Sequence, residues 1–199
     1  VRGWTDRSHF GHDVGQAEAG LQPKLVFDVI HQKAAVLFDG EDDALFRADV
    51  PGADLLSSDA VSVFAVVRQK WQSKVNTIVA WEAPNYKNHM ALLTSYNNKF
   101  LIDYGHASEG GRIGADQPVG WDDTWHVLEF VRDGNLSIVK VDGEVVEMGE
   151  FSDSLEVDAL GLLSVGAVPK LAFGGEIAEV LVYNRTLVAN EHKAVTDHL

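Results

Sequence analysis

Gly174-Gly175-Glu176-Ile177-Ala178-Glu179-Val180-Leu181-Val182-Tyr183-Asn184-Arg185-Thr186 decides the reading of this chain, with Leu187 and Glu191 following shortly. Two glycines open the stretch, side chains then alternate, a polar turn closes it, and a short helical segment begins. Successive side chains of a strand point to opposite faces. Ala178, Val180 and Val182 are therefore expected on one side, and Ile177, Leu181 and Tyr183 on the other. Apolar groups on both sides mark a strand covered on both faces. By the same alternation Glu176 and Glu179, three positions apart, are expected to face opposite ways.

The pattern repeats upstream. In residues 60–68, Val61, Val63, Ala65 and Val67 share one face and Ser62, Phe64, Val66 and Arg68 the other, again an interior strand. Further strands are expected at 24–30, 34–38, 77–81, 89–94, 100–104, 125–132, 136–141, 144–148 and 161–165. Asp133-Gly134 and Asp142-Gly143 lie between such runs, and Asp-Gly supplies the positive φ of a tight hairpin. Residues 125–148 thus read as a three-stranded meander. About eleven short strands with little helical periodicity imply an all-β fold of two packed antiparallel sheets. The expected helix is the tail, 188–198, docked through Leu187, Val188, Val195 and Leu199. Residues 105–123, rich in glycine, read as one long irregular excursion, the kind of loop that is often functional.

The chain has 199 residues, enough for a sizeable core in one domain spanning 1–199. It begins with Val1, which suggests a fragment of a larger protein. Thirty acidic against 16 basic residues give a formal charge of −14, which repels phosphate backbones and argues against nucleic acid and anionic membranes as partners. No apolar run is long enough to span a bilayer, so no membrane insertion is expected. With no cysteine, disulfides, zinc thiolates and thiol nucleophiles are excluded.

Read in order, these elements resemble the bacterial laminin-G-like domains of the concanavalin A-like lectin/glucanase superfamily. Trp4-Thr5-Asp6-Arg7-Ser8, Gly11-His12-Asp13, Gln16 and Gln22-Pro23 look like the family's lead-in. Phe38-Asp39-Gly40-Glu41-Asp42-Asp43-Ala44-Leu45 is similar to its phenylalanine–x–glycine–x–aspartate element. Trp125-His126-Val127, Val141-Asp142-Gly143, Leu163-Ser164-Val165-Gly166 and the stretch quoted first complete the likeness. The resemblance implies a jelly roll sandwich with Phe38 and Trp125 in its core. It also implies an extracellular or cell-surface module that binds a glycan, a glycoconjugate or a protein, often with calcium. Some relatives are glycoside hydrolases.

That hydrolase branch carries E-x-D-x-E or E-x-D-x-x-E on one strand, so that alternation turns the carboxylates into one cleft. The nearest match, Glu156-Val157-Asp158, runs into Leu160 and Gly161 where the third carboxylate would stand. Residues 161–166 have the wrong spacing for a serine elbow, and no H-E-x-x-H pair occurs. The reading is non-catalytic, with a pair assembled from distant strands left open.

Asp39, Glu41, Asp42 and Asp43 crowd four carboxylates around Gly40. Such a group is either a solvated turn or a calcium site, since calcium takes six to eight oxygens at flexible geometry. A sugar needs an aromatic plate beside hydrogen-bonding groups, because its C–H faces are apolar and its rim polar. Of the loop-flanking aromatics Trp71, Trp81, Tyr86, Tyr96, Tyr104 and Trp121, the set expected to form one ligand face is Trp81, Tyr86, Asn88, Tyr104 and Trp121. The expectation is a carbohydrate-binding module of an exported protein. A protein-recognising adhesion domain is the alternative, and a glycoside hydrolase or lyase the second.

Overall fold

A computed structural model describes residues 1–30, 33–70, 75–83, 89–96, 99–105, 110–168 and 171–199. Strands are numbered in chain order. One sheet has eight strands in the spatial order β1 (Gly3–Trp4), β2 (Val14–Gly15), β5 (Leu45–Ala48), β14 (Leu162–Val165), β7 (Val75–Glu82), β8 (His89–Tyr96), β9 (Lys99–Gly105), β10 (Arg112–Asp116). The other has seven, in the order β13 (Glu144–Glu150), β12 (Leu136–Val141), β11 (Trp125–Asp133), β6 (Ala60–Gln69), β17 (Gly174–Tyr183), β4 (Lys33–Asp39), β3 (Lys24–Ile30). Strands β15 (Ala167–Val168) and β16 (Leu171–Ala172) make a small hairpin, and the helices α1 (Gly52–Leu55) and α2 (Ala189–His198) with two 3₁₀ turns, Ala19–Leu21 and Val157–Ala159, complete the described elements. All pairings are antiparallel. This is the two-sheet antiparallel sandwich with a C-terminal helix that the residue pattern implied, in the jelly roll form that the resemblance implied.

The two inner faces share one core. Val61, Val63, Ala65 and Val67 of β6 belong to it with Trp81, Met90, Ile102 and Tyr104 of the opposite sheet. Phe38, Phe100, Phe130, Phe151 and Phe173 are among its largest fully buried side chains. Each contributes on the order of 2–3 kcal/mol through removal from water. Gly134 and Gly143 take the positive φ expected at the meander's corners, and β11, β12 and β13 pair in sequence.

Four expectations need correction. A bulge in β17 between Ile177 and Glu179 breaks the alternation. Ile177, Val180 and Val182 stand opposite Val67, Ala65 and Val63 and so share the core face, whereas Glu176, Glu179, Leu181 and Tyr183 share the outer one. Glu176 and Glu179 therefore lie on the same side, because one extra residue resets the period of two. Second, residues 105–123 are not wholly irregular: they contain β10, paired with β9 from Arg112↔Asp103 to Asp116↔Lys99. Third, α2 has no buried residue and is held by polar contacts, His192 Nε2 to Glu129 Oε1 at 2.7 Å and His198 Nε2 to Glu179 Oε1 at 3.1 Å. Fourth, Phe38 is core, but Trp125 lies on the outer face with the Arg68 guanidinium 5.2 Å over its ring.

Candidate binding face

Three of the expected ligand residues are buried. Trp81 is 2 % exposed, Tyr104 0 % and Trp121 3 %. Trp81 and Tyr104 point into the inter-sheet core. Tyr104 donates its hydroxyl to the Ser57 carbonyl, and the Arg132 guanidinium lies 4.7 Å over its ring. Trp121 is stacked on His126 at 4.3 Å and meets Phe100 edge-on at 4.3 Å. None of the three presents an aromatic plate to solvent, because the loop-flanking positions fold inward to fill the ends of the sandwich. Tyr86 and Asn88, like Trp71, lie outside the described residues.

The turn at Gly40 has a local explanation. Asp39 Oδ1 accepts the backbone N–H groups of Glu41 at 2.9 Å, Asp42 at 3.2 Å and Asp43 at 3.3 Å, and Asp43 Oδ2 accepts that of Asp39 at 3.0 Å. Burial pushes the Asp39 carboxyl up, but those N–H groups outweigh it and hold the group below the ordinary range. The Asp43 carboxyl is raised by burial and by the charges of Asp39 and Asp42. One carboxylate oxygen from each of Asp39, Asp42 and Asp43 lies within 4.8 Å of the others, and Glu41 is not brought into the group. Three carboxylates are fewer ligands than calcium takes, so backbone carbonyls or water would have to complete the shell. Glu156-Val157-Asp158 falls at the short 3₁₀ turn Val157–Ala159, where strand alternation does not operate.

A polar cluster also lies on the outer face of the eight-stranded sheet. Trp81, Met90 and Tyr104 are cross-strand partners facing the core. Alternation turns their neighbours outward. Ala80, Ala91, Asp103 and Arg112 form one cross-strand row on that face, and Glu82 and His89 stand opposite each other in the next. Four functional side chains from four successive strands thus meet on one surface. Arg112 donates to Asp103 through Nε at 2.5 Å and Nη2 at 2.7 Å, and His89 Nε2 lies 3.3 Å from Asp103 Oδ2. Burial pushes the Asp103 carboxyl up, but the hydrogen bonds from Arg112 and His89 outweigh it and hold it below the usual carboxylate range.

Glu82 has the opposite environment. It is 7 % exposed, and its Oε2 is enclosed with no hydrogen-bond partner. Burial pushes its carboxyl up, and the nearby His89 only partly offsets this. On the adjoining strand β14, Ser164 faces the same way opposite Ala80, and its enclosed Oγ also lacks a partner. Leu171 of the small hairpin packs over Ala80, Ala91 and Leu101 at the middle of this face. The apolar middle of this face is thus covered, and the polar groups converge beside it.

The spacing of these residues was visible in the chain as the polar phase of strands whose other phase is core: Glu82 beside Trp81, His89 beside Met90, Asp103 beside Ile102, Arg112 beside Ile113. What the chain did not show was that the four strands follow one another in the sheet in this register.

No protein-family model matches the chain, and no curated protein matches it. Solved structures do. Domain 4 of AbnA, a GH43 extracellular arabinanase from Geobacillus stearothermophilus solved with arabinotriose, superposes with a TM-score of 0.66 at 18% identity, covering 88% of this chain and 80% of that one. CBM40 of the Ruminococcus gnavus IT-sialidase, bound to α2,3-sialyllactose, gives 0.59 at 13% identity over 70% and 83%. Domains LG4-5 of the mouse laminin α1 chain give 0.51 at 16% identity over 68% and 40%. At such identities the likeness establishes the shared jelly roll and no more.

Proposed function

We propose that this chain is a non-catalytic module that binds carbohydrate or glycoconjugate, acting outside the cell or at its surface as part of a larger protein. The observation that carries this reading is the cluster of Glu82, His89, Asp103 and Arg112 on the outer face of one sheet, with His89 and Arg112 as its partly exposed members. The structural neighbours support it, since two of the three were solved with oligosaccharides. Asp103 is occupied by Arg112 and His89, which suits it to holding a surface rigid rather than to attacking a substrate. Calcium enters the proposal only at Asp39, Asp42 and Asp43. A glycan array probed with the purified chain tests the reading: binding to a defined set of glycans without cleavage supports it, and an empty array or measurable turnover removes it.

One observation favours protein recognition as a second reading. On the edge strand β3, Leu25 is 49 % and Phe27 69 % exposed. Leu25 lines a recess of about 530 Å³ together with Trp4, Val36 and Ala178 among others. An open sheet edge with an apolar strip can accept an added strand. Phe27→Asp abolishing pull-down of a host or bacterial surface protein, with glycan binding unchanged, would establish this reading.

A further inference from the structure

The seven-stranded sheet ends in two unlike edges, β13 and β3. Strand β13 carries Glu144, Glu147 and Glu150 and no cation, and charges along an edge blunt it against pairing. Strand β3 carries one cation and one anion, Lys24 and Asp28, and the sequence sets them symmetrically about Val26. Leu25 and Phe27 flank the same residue and are 49 % and 69 % exposed. The ladder to β4 is regular from Lys24↔Leu37 to Val26↔Ala35 and shifts before Ile30. Leu25 stands opposite Val36, a core residue, so it lies on the inner side of the sheet, at the recess it lines with Trp4 and Ala178. Read antiparallel to itself, the order Lys-Leu-Val-Phe-Asp sets a cation against an anion and an apolar residue against an apolar one.

We infer that β3 is a self-pairing edge, through which two copies of this chain join about a two-fold axis at Val26 into one continuous antiparallel sheet. Antiparallel pairing sets residues directly opposite one another, where opposite charges and apolar pairs stabilise and like charges destabilise. With Val26 opposite its counterpart, position 24 of each copy meets position 28 of the other, a lysine against an aspartate. Leu25 meets Phe27 of the second copy, which is thereby brought beside the recess that Leu25 lines. The same contacts repeat across the axis, as an isologous interface requires. A chain at −14 repels its own copies, so an edge that pairs must be one whose own charges cancel; β3 meets that condition and β13 does not. The inference rests on the edge invoked in the protein-recognition reading and names the partner as a second copy.

The experiment is sedimentation velocity over a concentration series. It compares the parent chain with Phe27→Asp, Lys24→Asp, Asp28→Lys and the double swap of Lys24→Asp with Asp28→Lys, each checked for folding by its melting curve. The parent is expected to show a reversible monomer–dimer equilibrium. Each single charge variant sets like charges opposite one another twice, and Phe27→Asp sets a carboxylate against Leu25 twice, so each should raise the dimer Kd about tenfold or more. The double swap restores a cation against an anion and should return the Kd toward that of the parent. A parent that stays monomeric throughout overturns the inference, as does a dimer that Phe27→Asp leaves intact or a double swap no tighter than the single variants. A monomeric parent that still captures another protein through Phe27 overturns the inference and keeps the protein-recognition reading. A dimer that follows Phe27 and the charge swap, and captures no other protein, supports the inference and removes that reading.

Discussion

Arg112 grips Asp103 across two adjacent strands with hydrogen bonds of 2.5 and 2.7 Å, and His89 reaches the same carboxylate from the third strand at 3.3 Å. A carboxylate so deeply buried is tolerable only because the Arg112 guanidinium donates to both of its oxygens. The pair therefore ties β8, β9 and β10 together on the face proposed to bind sugar.

Breaking that pair from one side should be costly. Arg112→Ala leaves Asp103 buried with only His89 and is expected to destabilise the fold by about 3 kcal/mol. Asp103→Asn combined with Arg112→Ala should recover part of the loss, because no uncompensated charge remains. Urea denaturation of both variants measures the coupling, and strictly additive losses would contradict it. The Asp103 carboxyl is held low, so its contribution is present above the unfolded value of about 3.9 and disappears as the pH falls through the lower folded value.

Glu82 gives the reverse pH dependence. Its carboxyl is raised by burial, so the folded chain holds that proton longer than the unfolded one. Its contribution is intact below the unfolded value of about 4.3 and is lost as the pH climbs through the folded value. Glu82→Gln, which cannot ionise, should gain in stability over the parent as the pH rises from about 4.3 to 7. Parallel denaturation curves for the two proteins at pH 4 and pH 7 would count against this.

Trp121→Ala should be a stability variant, not a binding variant. The ring fills the space between Phe100 and His126, and its loss is expected to cost about 3–5 kcal/mol. Calorimetric unfolding measures the cost, while the folded fraction should keep the parent's glycan affinity. A selective loss of affinity with an unchanged melting temperature would restore Trp121 as a ligand residue.

Gly166 lies between β14 and β15 with a φ of +85°, and a Cβ placed there would lie 2.0 Å from the Phe38 ring. Gly166→Ala is expected to destabilise by about 3 kcal/mol or more, through backbone strain and overpacking together. Gly20→Ala, where a Cβ meets nothing within 4 Å, is the control. Equal melting temperatures for the two variants would refute the account.

At the acidic turn, calcium in excess should raise the melting temperature of the chelated protein, and Asp42→Asn should abolish the rise. Asp42 is the informative position, since Asp39 and Asp43 also hold the turn together through backbone N–H groups. An absent heat of binding, with melting unchanged by calcium, would leave Asp39 as the cap of a solvated turn.

Strand alternation and turn chemistry are local, and so they were legible in one dimension. The two-faced run of β6, the Asp-Gly corners of the meander and the glycines opening β17 led to the sandwich without reference to any contact. Three things are not local. The bulge at Ala178 moved Ile177 to the core phase and brought Glu176 and Glu179 to one face, because a single inserted residue inverts every side chain beyond it. The burial of Trp81, Tyr104 and Trp121 depends on which rings they meet, as with Phe100 and His126 around Trp121. The meeting of Glu82, His89, Asp103 and Arg112 depends on four strands pairing in order and in register, a long-range property that no spacing along the chain encodes.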